Sequence, residues 1–519
     1  MLTRQETEAD ADTGARTGAR GARYWARTTP GAIAVVEAGY RYPYADMTAL
    51  IVKTVKHLQA LALPVEPTIG IECSSRFMHL VLILACECLG ATTVSFVPSD
   101  ITADNELLAR CTLLCLETPT KTETASHLPP ILPLNIDLIS TIARATITVD
   151  DDRLLDVRPE PLAGGRIVRT SGTTGKPKCM RNSNIGIWRA VETTQLILNL
   201  LEGSANFLCL YPFSFRPSYT DSILALRSGR TIVFTDLPSF FRDMVMIGDS
   251  HTVILPTDAV TLCATFSGPK NPAIKCAVQV NGGALGPTLR RTLNATFATT
   301  VCNTYSTNET NYISLVNGNG VGALLPGVEV RIVGNDGLEI PHGKTGRIMV
   351  RSPRMVPAYI ADDAATARHF VDGWHMTGDL GFQPGDRQLV VLGRADDMLN
   401  IGGIKVPPQP IETEIRTIAG ITDAVLLSID DRQGVSALHV VIERRGSDQD
   451  PELDRQIRPL IQRHGRDFVA HYLDILPRTP TGKVRRDELR AQIAGRHPET
   501  RSGQNRASGE AATTDRTAS

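Results

Sequence analysis

The chain has 519 residues, 42% of them hydrophobic and 21% charged, which is ordinary globular composition with enough length for two or more domains. Its 54 Lys+Arg against 55 Asp+Glu leave a formal net charge of -1, which argues against a nucleic-acid scaffold. No apolar run reaches the ~18 residues a membrane span needs; the candidates at 80–89 and 254–266 are interrupted by polar residues and read as buried helices.

In chain order, residues 1–25 are expected to be a disordered lead. The stretch 13–23 is rich in Arg and Gly but has no apolar segment of a signal peptide, and Glu6, Glu8, Asp10 and Asp12 speak against a transit peptide. A strand at 33–36 precedes a helical period through Met47, Leu50, Ile51, Val55 and Leu58. Residues 68–72 then read as a strand, 77–89 as a buried helix and 93–97 as a strand. Strand signals recur at 166–169, 206–211, 231–235, 252–255 and 277–281. Strands and helices in alternation imply parallel sheets covered by helices. Over 327–351 polar and apolar residues alternate around the turn Gly334-Asn-Asp-Gly337, which predicts a small antiparallel unit. The expected fold is therefore α/β, with a large body over 26–392 and a smaller α+β C-terminal domain over 393–496. Residues 497–519, without apolar side chains apart from alanine, read as a disordered tail. Neither Cys86/Cys88 nor Cys111/Cys115 has a second pair at zinc spacing, so the ten cysteines read as small buried hydrophobes of a reducing, cytoplasmic compartment.

The most informative string is Arg169-Thr-Ser-Gly-Thr-Thr-Gly-Lys-Pro-Lys178. Glycines allow close approach of backbone to an anion, while hydroxyls and ammoniums bind it, a chemistry that suits the β- and γ-phosphates of ATP. The spacing is not that of a P-loop, in which four residues separate the first Gly from Gly-Lys-Ser/Thr. The string resembles the phosphate loop of the adenylate-forming (AMP-dependent) ligases: acyl- and aryl-CoA synthetases, peptide-synthetase adenylation domains and luciferases.

Further segments match that superfamily in order across about residues 33–490. The resemblance implies that Thr170, Ser171, Gly172, Thr173, Thr174, Gly175, Lys176 and Lys178 cradle ATP phosphates. Asn281-Gly-Gly-Ala284 resembles the adenine floor, with Gly283 and Ala284 against the purine. Asn303-Thr-Tyr-Ser-Thr-Asn-Glu-Thr310 resembles the Tyr-Gly-x-Thr-Glu segment. There Asn303, Tyr305 and Ser306 would bind ATP, with Tyr305 stacking on adenine. Asn308 would reach the α-phosphate, and the Glu309 carboxylate would hold Mg2+. Ser306 stands where Gly is usual and Asn308 where Thr is usual. Thr377-Gly-Asp379 and Arg394 would hold the ribose, and Asp396 matches the hinge about which the C-terminal domain moves. Gly402 and Gly403 would line a tunnel for a pantetheine thiol. In this hinge region Pro410 replaces a usual Glu. Pro477-Arg-Thr-Pro-Thr-Gly-Lys483 resembles the catalytic-lysine segment, in which Lys483 would neutralise charge between the acid carboxylate and the α-phosphate.

The implied activity is ATP-dependent activation of a carboxylic acid as acyl-AMP with release of pyrophosphate, then transfer to CoA or a carrier-protein thiol. No carrier domain follows Lys483, so the acyl group is expected to leave for a separate molecule. Two alternatives stay open: a stand-alone amide ligase of the coronafacate type, passing the acid to an amine or amino acid, and a non-catalytic nucleotide-binding relative. Phe213-Ser-Phe-Arg-Pro-Ser places Arg216 where amino-acid-activating relatives carry an Asp for the substrate ammonium. A guanidinium there repels an ammonium, so an ordinary α-amino acid is not the expected acid. An aryl, cyclic or short acyl acid is expected, in a pocket that includes Trp188, Phe215 and Arg216.

Overall fold

A computed structural model describes residues 17–102, 105–117, 128–156, 160–170, 177–201, 206–401, 404–406, 408–430, 436–444, 450–462, 468–478 and 484–494. Two large sheets dominate. In the six-stranded sheet, Thr68–Glu72 lies between Thr92–Ser95 and Leu113–Leu116, all parallel, and Gly165–Arg169 follows on the Thr92–Ser95 side. The 14-stranded sheet has a parallel half that includes Asn206–Cys209, Ser250–Ile254, Cys276–Val280 and Thr300–Thr307. Its other half is antiparallel and begins at the pairing of Thr300–Thr307 with Asn311–Val316.

Helices Tyr44–Gln59 and Arg76–Cys88 lie between the two sheets. Their residues share one core with Ile69 and Ile71 of one sheet and Phe207 and Phe234 of the other. A helix clamped on both faces must be apolar nearly all round. Arg76–Cys88 meets that demand with Leu80, Val81, Leu82, Ile83 and Leu84 all buried, each contributing roughly 1.5–3 kcal/mol of burial free energy. Ser75 caps its start, accepting from the Met78 N–H at 3.2 Å.

One expectation is corrected here. The lead expected over 1–25 is already ordered from Thr17: Gly18–Thr28 is a helix whose Ala19 and Ala22 join the main core. Residues 327–351 are antiparallel as expected: strands Glu329–Val333 and Gly346–Arg351 pair with each other and are appended at one end of the large sheet. Toward the C-terminus a three-stranded sheet, Asp423–Asp430, Ser436–Glu443 and Phe468–Leu473, packs with helices Pro408–Ile415 and Pro451–Gln462 around its own core. Pro410 falls in the first turn of Pro408–Ile415, where a missing N–H costs no helical bond. All ten cysteines are free thiols.

Candidate nucleotide and acid site

Among the described residues, Thr170, Gly283, Asn308 and Glu309 follow the carboxyl ends of strands Gly165–Arg169, Cys276–Val280 and Thr300–Thr307 of the two large sheets, where loops leave the backbone open to a ligand. Gly165–Arg169 and Cys179–Asn182 pair antiparallel and bracket the phosphate-loop string. The Thr170 N–H donates to the Lys178 carbonyl at 2.8 Å, and the Lys178 N–H donates to Thr170 Oγ1 at 3.2 Å. Ser171, Gly172, Thr173, Thr174, Gly175 and Lys176 lie outside the described residues, as do Gly402, Gly403 and Lys483. Arg169 is anchored by Asp100, with Nη1 2.8 Å from Oδ1.

Lys178 is fixed by two residues that sequence reasoning missed. Its Nζ is 3.0 Å from His369 Nε2 and 4.9 Å from the centre of the Tyr359 ring. His369 Nδ1 faces the Met376 carbonyl at 3.2 Å. A carbonyl only accepts, so Nδ1 carries the proton and Nε2 is left to accept from the ammonium. Burial holds the His369 pKa below its usual value, and the Lys178 charge adds to this. The Tyr359 hydroxyl donates to Glu309 Oε1 at 2.8 Å, and Glu309 is 8% exposed. Asn308 Nδ2 donates to the Arg169 carbonyl at 3.2 Å. The acidic turn is thereby tied to the strand that leads into the phosphate loop.

A second cluster sits on Thr300–Thr307 and the antiparallel strands Trp374–Phe382 and Gln388–Arg394. Asp379 and Arg394 face each other in register. The Tyr305 hydroxyl donates to Asp379 Oδ2 at 2.5 Å, and Arg394 Nη1 donates to the Thr377 carbonyl at 2.9 Å and lies 3.4 Å from Asp379 Oδ1. Burial, reinforced by the Asp379 charge, pushes the Tyr305 phenol well above its ordinary pKa. Gly378 has φ +78, and a Cβ there would stand 2.8 Å from Arg394 Nη2, so the turn between Thr377 and Asp379 requires glycine. Ser306 sits at a register shift next to Tyr305 and needs no positive φ, which is why serine can replace the usual glycine.

The floor loop is held from beneath. Asn303 Nδ2 donates to the carbonyls of Val280 and Gly283, each at 3.0 Å, and Asn303 Oδ1 accepts from the Leu285 N–H at 3.3 Å. Gly283 is half-buried and Ala284 exposed on the rim. Asp396 lies in an exposed turn two residues beyond Arg394.

Of the three residues expected in the acid pocket, Arg216 alone lines the cavity beside this site. That cavity is bounded by Arg166, Asn182, Arg216, Thr220 and Asn311, with Ile187 and Ala190 from helix Asn184–Leu200. Trp188 of the same helix is 1% exposed and turned into the core. Phe215 packs on Tyr211, ring centres 4.7 Å apart. Arg216 donates to the Thr307 carbonyl at 2.6 Å.

Residues 140–360 match the AMP-binding enzyme family. Indoleacetate–CoA ligase of Aromatoleum aromaticum is 30% identical over 344 residues, 63% of this chain and 67% of that ligase. The chain belongs to the AMP-binding enzyme family. Its fold is shared by ATP-bound MatB from Rhodopseudomonas palustris, at TM-score 0.75 and 21% identity over 91% of this chain and 99% of that one. The amide bond synthetase McbA from Marinactinospora thermotolerans has the same fold, at TM-score 0.75 and 21% identity over 92% and 99%. Among the described residues no helix is long and apolar enough to cross a membrane.

Proposed function

We infer that this chain is an ATP-dependent carboxylic acid ligase that forms an acyl-adenylate and then passes the acyl group to CoA or a carrier thiol. The observation that carries this reading is the linkage of three distant segments around one rim: Lys178 to His369, Tyr359 to Glu309, and Asn308 to Arg169. A plain surface loop has no use for a lysine, a carboxylate and an amide locked into one arc.

The acid carboxylate attacks the ATP α-phosphorus; a P–O bond to the acid forms and the bond to pyrophosphate breaks. Lys178 and the loop from Thr170 balance charge on the departing pyrophosphate. Asn308 directs its amide toward the α-phosphate. Asp379 and Arg394 grip the ribose hydroxyls, Tyr305 stacks on adenine, and Gly283 and Ala284 form the surface beneath it. Glu309 fits Mg2+, since a single carboxylate steadied by a phenol leaves the remaining positions to phosphate oxygens and water. Bound there, the ion supplies charge neutralisation to the phosphates. Lys483 is assigned to the charge developing between carboxylate and α-phosphate, Asp396 to the hinge, and Gly402 and Gly403 to the path of the thiol. In the second half-reaction the thiol sulfur attacks the acyl carbon and AMP leaves.

The acceptor is tested by offering ATP, Mg2+ and an accepted acid together with CoA in one reaction and with amines or amino acids in another. Mass spectrometry then distinguishes thioester from amide. A thioester supports the thiol reading. An amide with no thioester replaces it with the amide ligase.

A further inference from the structure

The chain passes from the large body to the C-terminal unit within a few residues. Arg394 is held by the body, through the Thr377 carbonyl and Asp379, and the Ala395 N–H donates to the Gly378 carbonyl at 2.9 Å. Asp397 is held from the other side, its Oδ2 lying 3.8 Å from Arg486 Nε. Leu399, two residues on, is buried in the C-terminal core with Ile411 and Ile415. Asp396 alone stands between the two anchorages, which supports its assignment to the hinge.

Arg486 does more than face Asp397. Its Nη2 donates to Glu412 Oε1 at 2.6 Å, and its Nη1 donates to the Leu426 carbonyl at 3.0 Å. Glu412 is 1% exposed, and its Oε1 also accepts from the Leu426 N–H at 2.9 Å. A guanidinium is planar and its donors are fixed in direction, so contacts to three segments hold those segments relative to one another. Arg486 also opens helix Arg486–Ala494, three residues after Lys483. The segment that bears Lys483 is closed at its base. Arg478 and Val484 form an antiparallel bridge, and the Arg485 N–H donates to the Pro477 carbonyl at 2.8 Å. Arg478 in turn donates to Asp423 at 2.8 Å and to Glu443 at 2.6 Å, both on the three-stranded sheet that carries Leu426. Arg486 extends this anchorage to the residue that follows the hinge.

We propose that Arg486 is a positioning residue, which together with Asp397 makes the turn after the hinge and the segment bearing Lys483 move as one piece. This rests on the ligase reading above, including the roles given there to Asp396 and Lys483. Rotation at Asp396 is then passed on without slack, and the ammonium reaches the carboxylate and α-phosphate in one orientation. Transfer to the acceptor makes no use of Lys483, so the coupling acts on the first half-reaction.

Asp397→Asn removes the charge on the hinge side and leaves Arg486 with Glu412 and Leu426. The two half-reactions are read separately: ATP–pyrophosphate exchange, and transfer from a supplied acyl-adenylate to CoA, or to the amine if an amide is the product. The expected result is an exchange kcat lowered about three- to five-fold, the scale of a partly exposed ion pair. KM for ATP and for the acid, and the transfer rate, should each stay within about two-fold of wild type. Asp397→Glu, which keeps the charge, should restore most of the exchange. In an Arg486→Gln background, Asp397→Asn should cost nothing further. Thermal unfolding of each variant separates loss of position from loss of fold. If Arg486→Gln does not fold, Asp397→Asn and Asp397→Glu decide the matter between them. Unchanged exchange in Asp397→Asn that is folded overturns the proposal, and so does an equal loss of both half-reactions. No exchange with any acid, from wild-type protein that binds ATP, defeats the ligase reading itself, and this proposal with it.

Discussion

Asn303→Ala puts the floor of the nucleotide site under direct stress. The side chain is 4% exposed and makes three contacts to the loop that follows Cys276–Val280: two donations at 3.0 Å and one acceptance at 3.3 Å. A buried hydrogen bond contributes about 1 kcal/mol net, and stranding its partner costs more. The two short bonds and the longer one together give a loss of about 3 kcal/mol. Part of that appears as global destabilisation and part as misplacement of Gly283 and Ala284. If about 1.4 kcal/mol falls on the loop, KM for ATP rises about ten-fold. The assay is pyrophosphate exchange with ATP varied at saturating acid, paired with urea unfolding. The expected outcome is a raised ATP KM, an acid KM within about two-fold of wild type, and reduced stability. An unchanged ATP KM alongside a clear loss of stability would refute the reasoning, since Asn303 would then brace the fold and not the adenine floor.

Three further perturbations follow from named residues. Lys483→Ala should abolish acyl-adenylate formation while leaving transfer from a supplied acyl-adenylate largely intact; equal loss of both steps in separate assays removes Lys483 from its role. Gly378→Ala forces φ +78 on a residue with a Cβ and drives that atom toward Arg394; about 1–2 kcal/mol of stability should be lost, with a raised ATP KM, and unchanged values for both would argue against the close approach. His375 is held at about 4 by burial, against 6.5 when free. Its depressed folded pKa gives stability that is present above about pH 6.5 and lost as pH falls toward 4. Between pH 7 and pH 5 that loss is about 2 kcal/mol, so His375→Phe, which cannot titrate, should flatten the stability profile by that amount in urea titrations at the two pH values.

The parallel sheets were the most legible part of the chain, because strands buried on both faces read as short apolar runs. The strand expected at 68–72 is Thr68–Glu72 in the structure. The helix Gly18–Thr28 was not legible, and the reason is steric. It is packed through Gly18, Ala19, Gly21 and Ala22, and a Cβ at Gly21 would lie 2.9 Å from the Arg227 Cα. Small residues chosen for close packing look, in sequence, like a flexible Arg/Gly lead. The arginines have a packing role too, since Arg23 Nε pairs with Asp152 at 2.9 Å. At the site, Tyr305, Glu309, Asp379 and Arg394 could be singled out because each lies in a contiguous motif. Tyr359 and His369 could not, since their meaning depends on Glu309 and Lys178, which are distant in sequence. Trp188 shows the converse, an aromatic that suggested a pocket wall and is spent on the core.

The most direct test of the account is ATP–pyrophosphate exchange by the intact chain with Mg2+ across a panel of aryl, cyclic, short acyl, dicarboxylic and amino acids. The account predicts exchange that requires both ATP and a non-amino acid, with AMP formed only when acid is present. Exchange supported by ordinary α-amino acids alone would contradict the reading of Arg216. No exchange with any acid, from protein that binds ATP, would contradict the claim that this chain activates carboxylates.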